Sequence, residues 1–135
     1  MSMAELGRRV NLSAPAVGER VQRLEESGVI TGYTAQVDPR AIGYPIAAVV
    51  RIRPARRQLH KVPEVARSTP EVVQCHRVTG EDCYVARLHL RSMDDLEGIL
   101  DRFAVVGQTT TSIVQSAAVP LRAVRLGGES PDSHA

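Results

Sequence analysis

The apolar residues near the start of the chain recur at helical spacing in two separate runs. The runs are Met3, Leu6 and Val10, then Val17, Val21 and Leu24. A capping box at Ser2 precedes the first run. Ser13 is a good N-cap for the second, with Pro15 in its first turn and Gly28 as a left-handed stop. The pattern predicts helices of about eight and about fourteen residues joined by a turn of about three. That spacing is typical of a DNA-binding helix-turn-helix.

The segment that follows has a different composition. Residues 29–37 are rich in β-branched side chains, which favours a wing or a strand leading out of the helical region. Asp38 and Pro39 then mark a turn and the boundary of this region. Residues 1–37 hold four arginines and four glutamates, so charge does not favour DNA binding there. Helix pairs with a polar turn also occur in proteins that bind no DNA, so that alternative stays open.

Beyond residue 45 the apolar pattern switches between strand and helix periods. Strands are predicted over 46–53, 72–79, 84–90 and 109–119, with helices after the first and third strands. The second helix is predicted to be capped by Ser92 and to bury Met93, Leu96, Ile99, Leu100 and Phe103. The order β-α-β-β-α-β is the ferredoxin-like arrangement, whose helices cover one face of a four-stranded sheet. The other face is mixed in polarity, which indicates packing against the sheet of a second copy.

Composition excludes several classes of protein. Of 135 residues, 43% are hydrophobic and 24% are charged, which is typical of a globular chain. No apolar run is long enough to cross a membrane, and the first residues do not resemble a secretory signal. The two cysteines cannot form a disulfide framework. We therefore expect a cytoplasmic protein with no membrane partner. Aromatic residues are only 3%, which argues against a stacking platform for single-stranded nucleic acid.

Two Cys and His pairs invite a metal or nucleophile interpretation. Zinc needs about four converging ligands, whereas Cys75 and His76 are neighbours on a strand and point to opposite faces. Cys83 and His89 complete no recognisable ligand spacing, and no third group orients a Cys-His pair. A phosphate loop or a paired-carboxylate motif is not visible. The sequence therefore predicts a binding protein with no metal, no cofactor and no catalytic residues.

Three segments carry a resemblance to a known family. They are ELGRRVNLSAPAVGERVQRLEESGVITGYTAQVDPRAIGY, QCHRVTGEDCYVARLHL and GQTTTSIV. Together they cover nearly the whole chain, which resembles the Lrp/AsnC, or feast/famine, family of transcription regulators. The resemblance implies a winged helix-turn-helix that binds double-stranded DNA. It also implies a ferredoxin-like domain that forms homodimers, often octamers, and binds a small effector, usually an amino acid. The family has a further helix before Ser2, so the helix-turn-helix is expected to lack its first helix.

The resemblance also assigns site residues. The recognition helix matches residues 13–27, and its DNA-facing candidates are Ser13, Ala14, Ala16, Val17, Arg20 and Arg23. The effector loop matches Thr79, Gly80, Glu81, Asp82, Cys83 and Tyr84, and the same pocket is lined by Gly107, Gln108 and Thr109. Glu81 or Asp82 could pair an amino-acid ammonium, and backbone amides near Gly107 could take its carboxylate. Alternatively, both acids are solvated turn residues. The family often has an aspartate where Cys83 stands, which leaves the ligand class open.

Taken together, the sequence predicts an α+β chain in four parts. These are a helix-turn-helix over 1–37, a hinge over 38–45, a ferredoxin-like effector-binding and oligomerisation domain over 46–126, and a disordered tail over 127–135. The expected function is a sequence-specific transcription regulator that responds to an amino acid or a related small metabolite. The alternative is a ferredoxin-like small-molecule sensor or assembly module that no longer binds DNA.

Overall fold

The computed structural model of the chain describes residues 13–125. The chain divides into two units, and the boundary between them lies between Val37 and Asp38. The helix predicted to begin after the Ser2 cap lies outside the described residues, and so does the tail predicted at 127–135.

The first unit is described from Ser13 and contains helix α1, Ala14–Glu26. The Ser13 hydroxyl accepts a hydrogen bond from the Ala16 amide at 3.3 Å, which satisfies one of the free donors of the first turn. At the other end, the Gly28 amide donates to the Glu25 carbonyl at 3.1 Å. Gly28 has φ +81°, a left-handed conformation that favours glycine. Both predicted helix ends are therefore confirmed.

The chain after α1 differs from the prediction. Residues 29–37 contain no strand, because their backbone finds no ladder partner among the residues that the structure describes. The Tyr33 hydroxyl instead donates to the Glu25 carboxylate, a bond that raises the pKa of Tyr33. This contact ties the segment back to α1.

The second unit begins with a short 3-10 helix, Pro39–Ile42. The Asp38 carboxylate caps it by accepting from the Arg40 amide at 3.0 Å, and Gly43 ends it with φ +99°. The turn predicted at Asp38 and Pro39 is therefore confirmed.

The rest of the second unit is a four-stranded antiparallel sheet with two helices. Its elements in chain order are β1 (Ile46–Pro54), α2 (Lys61–Arg67), β2 (Val72–Arg77), β3 (Tyr84–Leu90), α3 (Asp94–Ala104) and β4 (Gly107–Ile113). The strands lie in the order β2-β3-β1-β4, and every neighbouring pair is antiparallel. This is the predicted ferredoxin-like topology.

One face of the sheet forms the core together with the two helices. Alternate residues of β1 and β3 point to this inner face, as the period of two in the sequence requires. Phe103 of α3 and Val62 of α2 are fully buried against it. The whole buried cluster is Ala48, Val50, Ile52, Val62, Ala66, Tyr84, Ala86, Leu88, Leu90, Leu96, Ile99, Phe103 and Val106.

Two predicted strands have wrong bounds. β2 ends at Arg77 rather than at residue 79, and β4 covers Gly107–Ile113 rather than 109–119. The β4 ladder stops where β1 runs out of partners: Ile113 pairs with Ala48, and the Val114 amide donates to the Ala47 carbonyl. Pro45 directly precedes β1 and has no N–H to continue the ladder.

The predicted start of α3 is also wrong. The helix begins at Asp94 after Met93, and no side chain caps it, so Ser92 does not act as the predicted cap. Met93 is 51% exposed and does not belong to the core stripe. Three acids in the first turn, Asp94, Asp95 and Glu97, provide the negative charge that the positive end of a helix favours.

Candidate DNA-binding helix and effector loop

The exposed side of α1 carries a basic stripe next to an acidic one. Ala16, Arg20 and Arg23 are spaced four and three residues apart and therefore share one side of the helix. Both arginine side chains are exposed, whereas Ala14 and Ala16 are half-buried. Val17 is only 3% exposed, so its side chain is buried and is withdrawn from the DNA-facing set.

The acidic stripe was not part of the sequence prediction. Glu19, Gln22 and Glu26 are also spaced three and four residues apart, and Gln22 donates to Glu26 at 3.2 Å. Glu19 lies one turn before Arg23 on the helix. Arg23 lines one open depression together with Glu19, Gln22 and Glu26, so carboxylates lie beside this arginine.

The predicted effector loop is a tight connection between β2 and β3. The Val78 amide donates to the Cys83 carbonyl at 2.7 Å, and the Tyr84 amide donates to the Asp82 carbonyl at 2.8 Å. Gly80 has φ +108° and Cys83 has φ +66°, so the loop turns through two left-handed residues. Glycine adopts this conformation freely, but a residue with a Cβ pays about 1–2 kcal/mol. Thr79 is exposed in the same loop.

The two acids of this loop meet arginines of β1. The Arg53 guanidinium lies 2.7 Å from the Glu81 carboxylate and 3.9 Å from that of Asp82, and Arg51 lies 4.0 Å from Asp82. Sequence reasoning missed both arginines, although their alternate positions on β1 place them on one face of the sheet. Both acids therefore have arginine partners, and the Glu81 side chain is at the same time 85% exposed to solvent.

The start of β4 lies at the same end of the sheet as the effector loop. Gly107 pairs with Pro54, Gln108 with Arg53 and Thr109 with Ile52. Since β1 lies between β3 and β4, its last residues have the loop on one side and the start of β4 on the other. The two segments that the resemblance assigned to one pocket therefore lie at the same end of the sheet, on opposite sides of β1. An open depression of about 420 Å³ beside this strand end is lined by Arg53, Pro54, Ala55, Ala104, Gly107 and Gln108.

Two of the predicted effector residues, Gly107 and Tyr84, have roles in the fold. A Cβ on Gly107 would lie 2.3 Å from the Arg53 carbonyl oxygen, so the close approach of the two strands requires glycine there. Tyr84 is 5% exposed, and its hydroxyl donates to the Leu59 carbonyl at 3.2 Å, so its side chain belongs to the core. Thr109 lies on the inner face with Ile52, whereas Gln108 lies on the outer face with Arg53.

The cysteine and histidine residues form no reactive site in the described part of the chain. Burial raises the pKa of the Cys75 thiol, which is the opposite of what an activated nucleophile needs. Burial, with a smaller effect of Arg87, lowers the pKa of His89. No three His, Cys, Asp or Glu side chains converge on a metal position in residues 13–125. None of the helices in that range has the length and apolarity needed to cross a bilayer.

Comparison with known proteins identifies both units. Residues 47–124 match the model of the Lrp/AsnC ligand binding domain, and residues 1–31 match that of a winged helix-turn-helix DNA-binding domain. The HTH-type transcriptional regulator LrpC of Bacillus subtilis is 31% identical over 116 residues, 86% of this chain and 81% of that protein. The HTH-type transcriptional regulator LrpA of Mycobacterium tuberculosis is 36% identical over 111 residues, 82% of this chain and 74% of that protein.

Solved structures give the same result. The structure of LrpC from Bacillus subtilis has a TM-score of 0.80 and 31% identity, covering 86% of this chain and 83% of that one. The feast or famine regulatory protein of M. tuberculosis, complexed with L-methionine, has a TM-score of 0.79 and 35% identity, covering 91% and 86%. The chain therefore belongs to the Lrp/AsnC family of DNA-binding transcriptional regulators.

Proposed function

We propose that this protein is a cytoplasmic, non-enzymatic regulator whose affinity for DNA changes when it binds an amino acid or a related small metabolite. The observation that carries the proposal is the juxtaposition of residues 79–83 with Gly107–Thr109 at one end of the sheet. A relative 35% identical to this chain has been solved with L-methionine, which supports the effector class. In this proposal residues 46–126 form the effector-binding and oligomerisation domain, and residues 38–45 form the hinge.

The DNA-binding part of the proposal rests on the basic stripe of α1. Ser13 and Ala14 lie at the N-terminal end of the helix, the end that a helix-turn-helix inserts into the major groove. In this proposal Ala16 leaves room for close approach and Arg20 reads a base edge, because arginine forms paired hydrogen bonds with guanine. Arg23, nearer the C-terminal end, is placed to contact phosphate.

The effector part of the proposal rests on charge and backbone geometry. Backbone amides beside Gly107 are suited to a carboxylate, and the carboxylates of Glu81 and Asp82 are suited to an ammonium. Because Arg53 pairs with both acids, the ligand's ammonium joins an existing ion-pair cluster rather than a free carboxylate. Gln108 shares the outer face with Arg53 and is placed to contact the ligand's side chain.

Association through the outer face of the sheet completes the proposal. That face carries half-buried apolar residues, Val49 and Val85, among polar ones and has no layer covering it in the described part of the chain. A second copy packed sheet to sheet would bury these residues and give a homodimer. Homodimers are the units from which larger assemblies such as octamers are built.

The test is fluorescence anisotropy on duplex DNA at two salt concentrations, with L-methionine and the other amino acids added singly. We expect salt-dependent binding that at least one amino acid shifts. Arg20→Ala should weaken specific binding, because it removes a base contact. Arg23→Ala should mainly flatten the salt dependence, because it removes a phosphate contact.

The control for the effector site is Gly80→Val, which places a β-branched side chain at φ +108°. This variant should keep DNA binding and lose the response to the amino acid. A chain that binds an amino acid but no DNA would support the sensor or assembly module instead. Binding of DNA without any amino-acid response would contradict the effector assignment.

A further inference from the structure

A second basic surface lies on the ferredoxin-like unit. We propose that the loop between β1 and α2 contacts the phosphate backbone of DNA. We define the basic loop as residues 55–61, which are this loop and the first residue of α2. It carries Arg56, Arg57, His60 and Lys61, and all four side chains are exposed. The proposal rests on the proposed function, since it assigns a further contact to the same DNA-bound protein.

These charges have no acidic partner within residues 13–125. Arg51 and Arg53 of β1 pair with Glu81 and Asp82 at 4.0 Å or less, so these two acids offset the charge of the strand arginines. Arg56, Arg57 and Lys61 lie a few residues further along the same chain and form no such pair. The strand arginines are thus occupied by the effector loop, whereas the basic loop remains available to an anion.

The loop is held in place rather than free. The Ala55 amide donates to the Val106 carbonyl at 2.8 Å, the Gln58 amide to the Ala55 carbonyl at 2.9 Å, and the Lys61 amide to the Gln58 carbonyl at 3.0 Å. Leu59 packs against the core cluster. The bond between Gln58 and Ala55 closes a turn with Arg56 and Arg57 at its tip. Preorganised charges lose little side-chain and backbone freedom on binding.

The backbone conformation at the tip of this turn is unfavourable for Arg57. Arg57 has φ +68°, and Arg56 is not in the left-handed region, which is the type II pattern that calls for glycine at the second central position. An arginine there strains the backbone, and strain that persists in a fold is a reason to look for function. The strained side chain is one of the unpaired cations.

The charge distribution of the chain favours DNA as the polyanion that the basic loop contacts. Residues 1–37 contain four basic and four acidic residues, whereas residues 38–125 contain thirteen basic and nine acidic ones. The helix-turn-helix unit therefore has no net charge with which to attract DNA, and the excess lies in the other unit. Phosphate contacts supply most of the non-specific affinity of DNA-binding proteins. A DNA-binding chain of this kind gains that affinity from the basic loop.

The test compares two double variants that each remove two positive charges. Arg56→Gln with Arg57→Gln neutralises the tip, and Arg77→Gln with Arg122→Gln is the control elsewhere on the same unit. Binding to specific and mixed-sequence duplexes is measured by anisotropy between about 50 and 200 mM salt. We expect the tip variant to bind both duplexes more weakly, with the salt slope reduced by about 0.9 per lost phosphate contact. The control should retain the slope of the unsubstituted chain.

A single substitution separates DNA contact from folding. Arg57→Gly places glycine at the left-handed position, so its melting temperature should equal or exceed that of the unsubstituted chain while its salt slope falls. A tip variant with an unchanged slope overturns the loop assignment, and so does an equal reduction in both double variants. Failure of the unsubstituted chain to bind DNA would instead contradict the proposed function itself, and the loop assignment with it.

Discussion

The two faces of the sheet carry different kinds of residue, although the same four strands form both. On the inner face of β1, Ala48, Val50 and Ile52 are fully buried. On the outer face of the same strand, the apolar Val49 is followed by two arginines that pair with acids of the candidate effector loop. The inner face is an apolar core covered by helices, and the outer face is a mixed surface open to partners.

This difference teaches where stability and recognition are encoded. Substitutions on the inner face change how well the unit folds, because packing is dense there and leaves no room for adjustment. Substitutions on the outer face change what the unit binds. Along β1, successive residues therefore alternate between positions that determine stability and positions that determine binding.

The largest effect is expected in the core. Phe103→Ala removes the ring of a fully buried side chain and should lower the free energy of unfolding by about 3–5 kcal/mol. Urea denaturation at one fixed chain concentration measures this value. Met93→Ala, at a position 51% exposed beside the same helix, is the control and should cost less than about 1 kcal/mol. Similar costs for the two variants would contradict the assigned core.

A smaller effect, of opposite sign at two glycines, is expected where β4 begins. The methyl group of Gly107→Ala would lie 2.3 Å from the Arg53 carbonyl oxygen, so the strands must shift, at about 1–3 kcal/mol. Gly98→Ala in α3 meets nothing within 4 Å and should stabilise the helix by about 0.5–1 kcal/mol. Thermal unfolding of both variants measures the difference. A stabilised Gly107→Ala variant would show that the strand end adjusts freely.

The smallest effect on folding is expected on the outer face. Val49→Arg should change the free energy of unfolding of the single chain by less than about 0.5 kcal/mol. It should nevertheless abolish association, because it places a charge beside Arg87 at the centre of the proposed interface. Light scattering after size-exclusion chromatography measures the assembly. The control is Val105→Arg, at a position 79% exposed off the sheet, which should assemble normally. A persistent Val49→Arg dimer would place the interface elsewhere.

Most of the fold could be predicted from the sequence, because its two periods were clear. The alternation in β3 predicted both its bounds and its buried residues, and Ser13 and Gly28 predicted the ends of α1. The ends of β2 and β4 could not be predicted, because a strand ends where its neighbour stops pairing. The exposure of Met93 was not predicted, because α3 begins one residue later than predicted. Met93 therefore lies just before its first turn.

The candidate site could be predicted only as segments. Family resemblance located the loop at Gly80 and the strand start at Gly107, but not the pairing of Arg53 with Glu81. Those two residues are far apart in the sequence, and only the strand register brings them together. Val17 was assigned to the DNA-facing set and Tyr84 to the effector loop, although both side chains are buried. A match between segments does not show whether a side chain points into the core or toward a ligand.

The position of β1 in the middle of the sheet also affects how the protein is made. Both of its partners, β3 and β4, follow it in the chain, and β4 ends only at Ile113. At a synthesis rate of about 5–20 residues per second, β1 leaves the ribosome seconds before its second edge can be covered. During that interval its apolar alternate residues and unpaired backbone are exposed to the cell. Slow translation or scarce chaperones would therefore harm this unit first through aggregation of nascent chains rather than through loss of the finished fold.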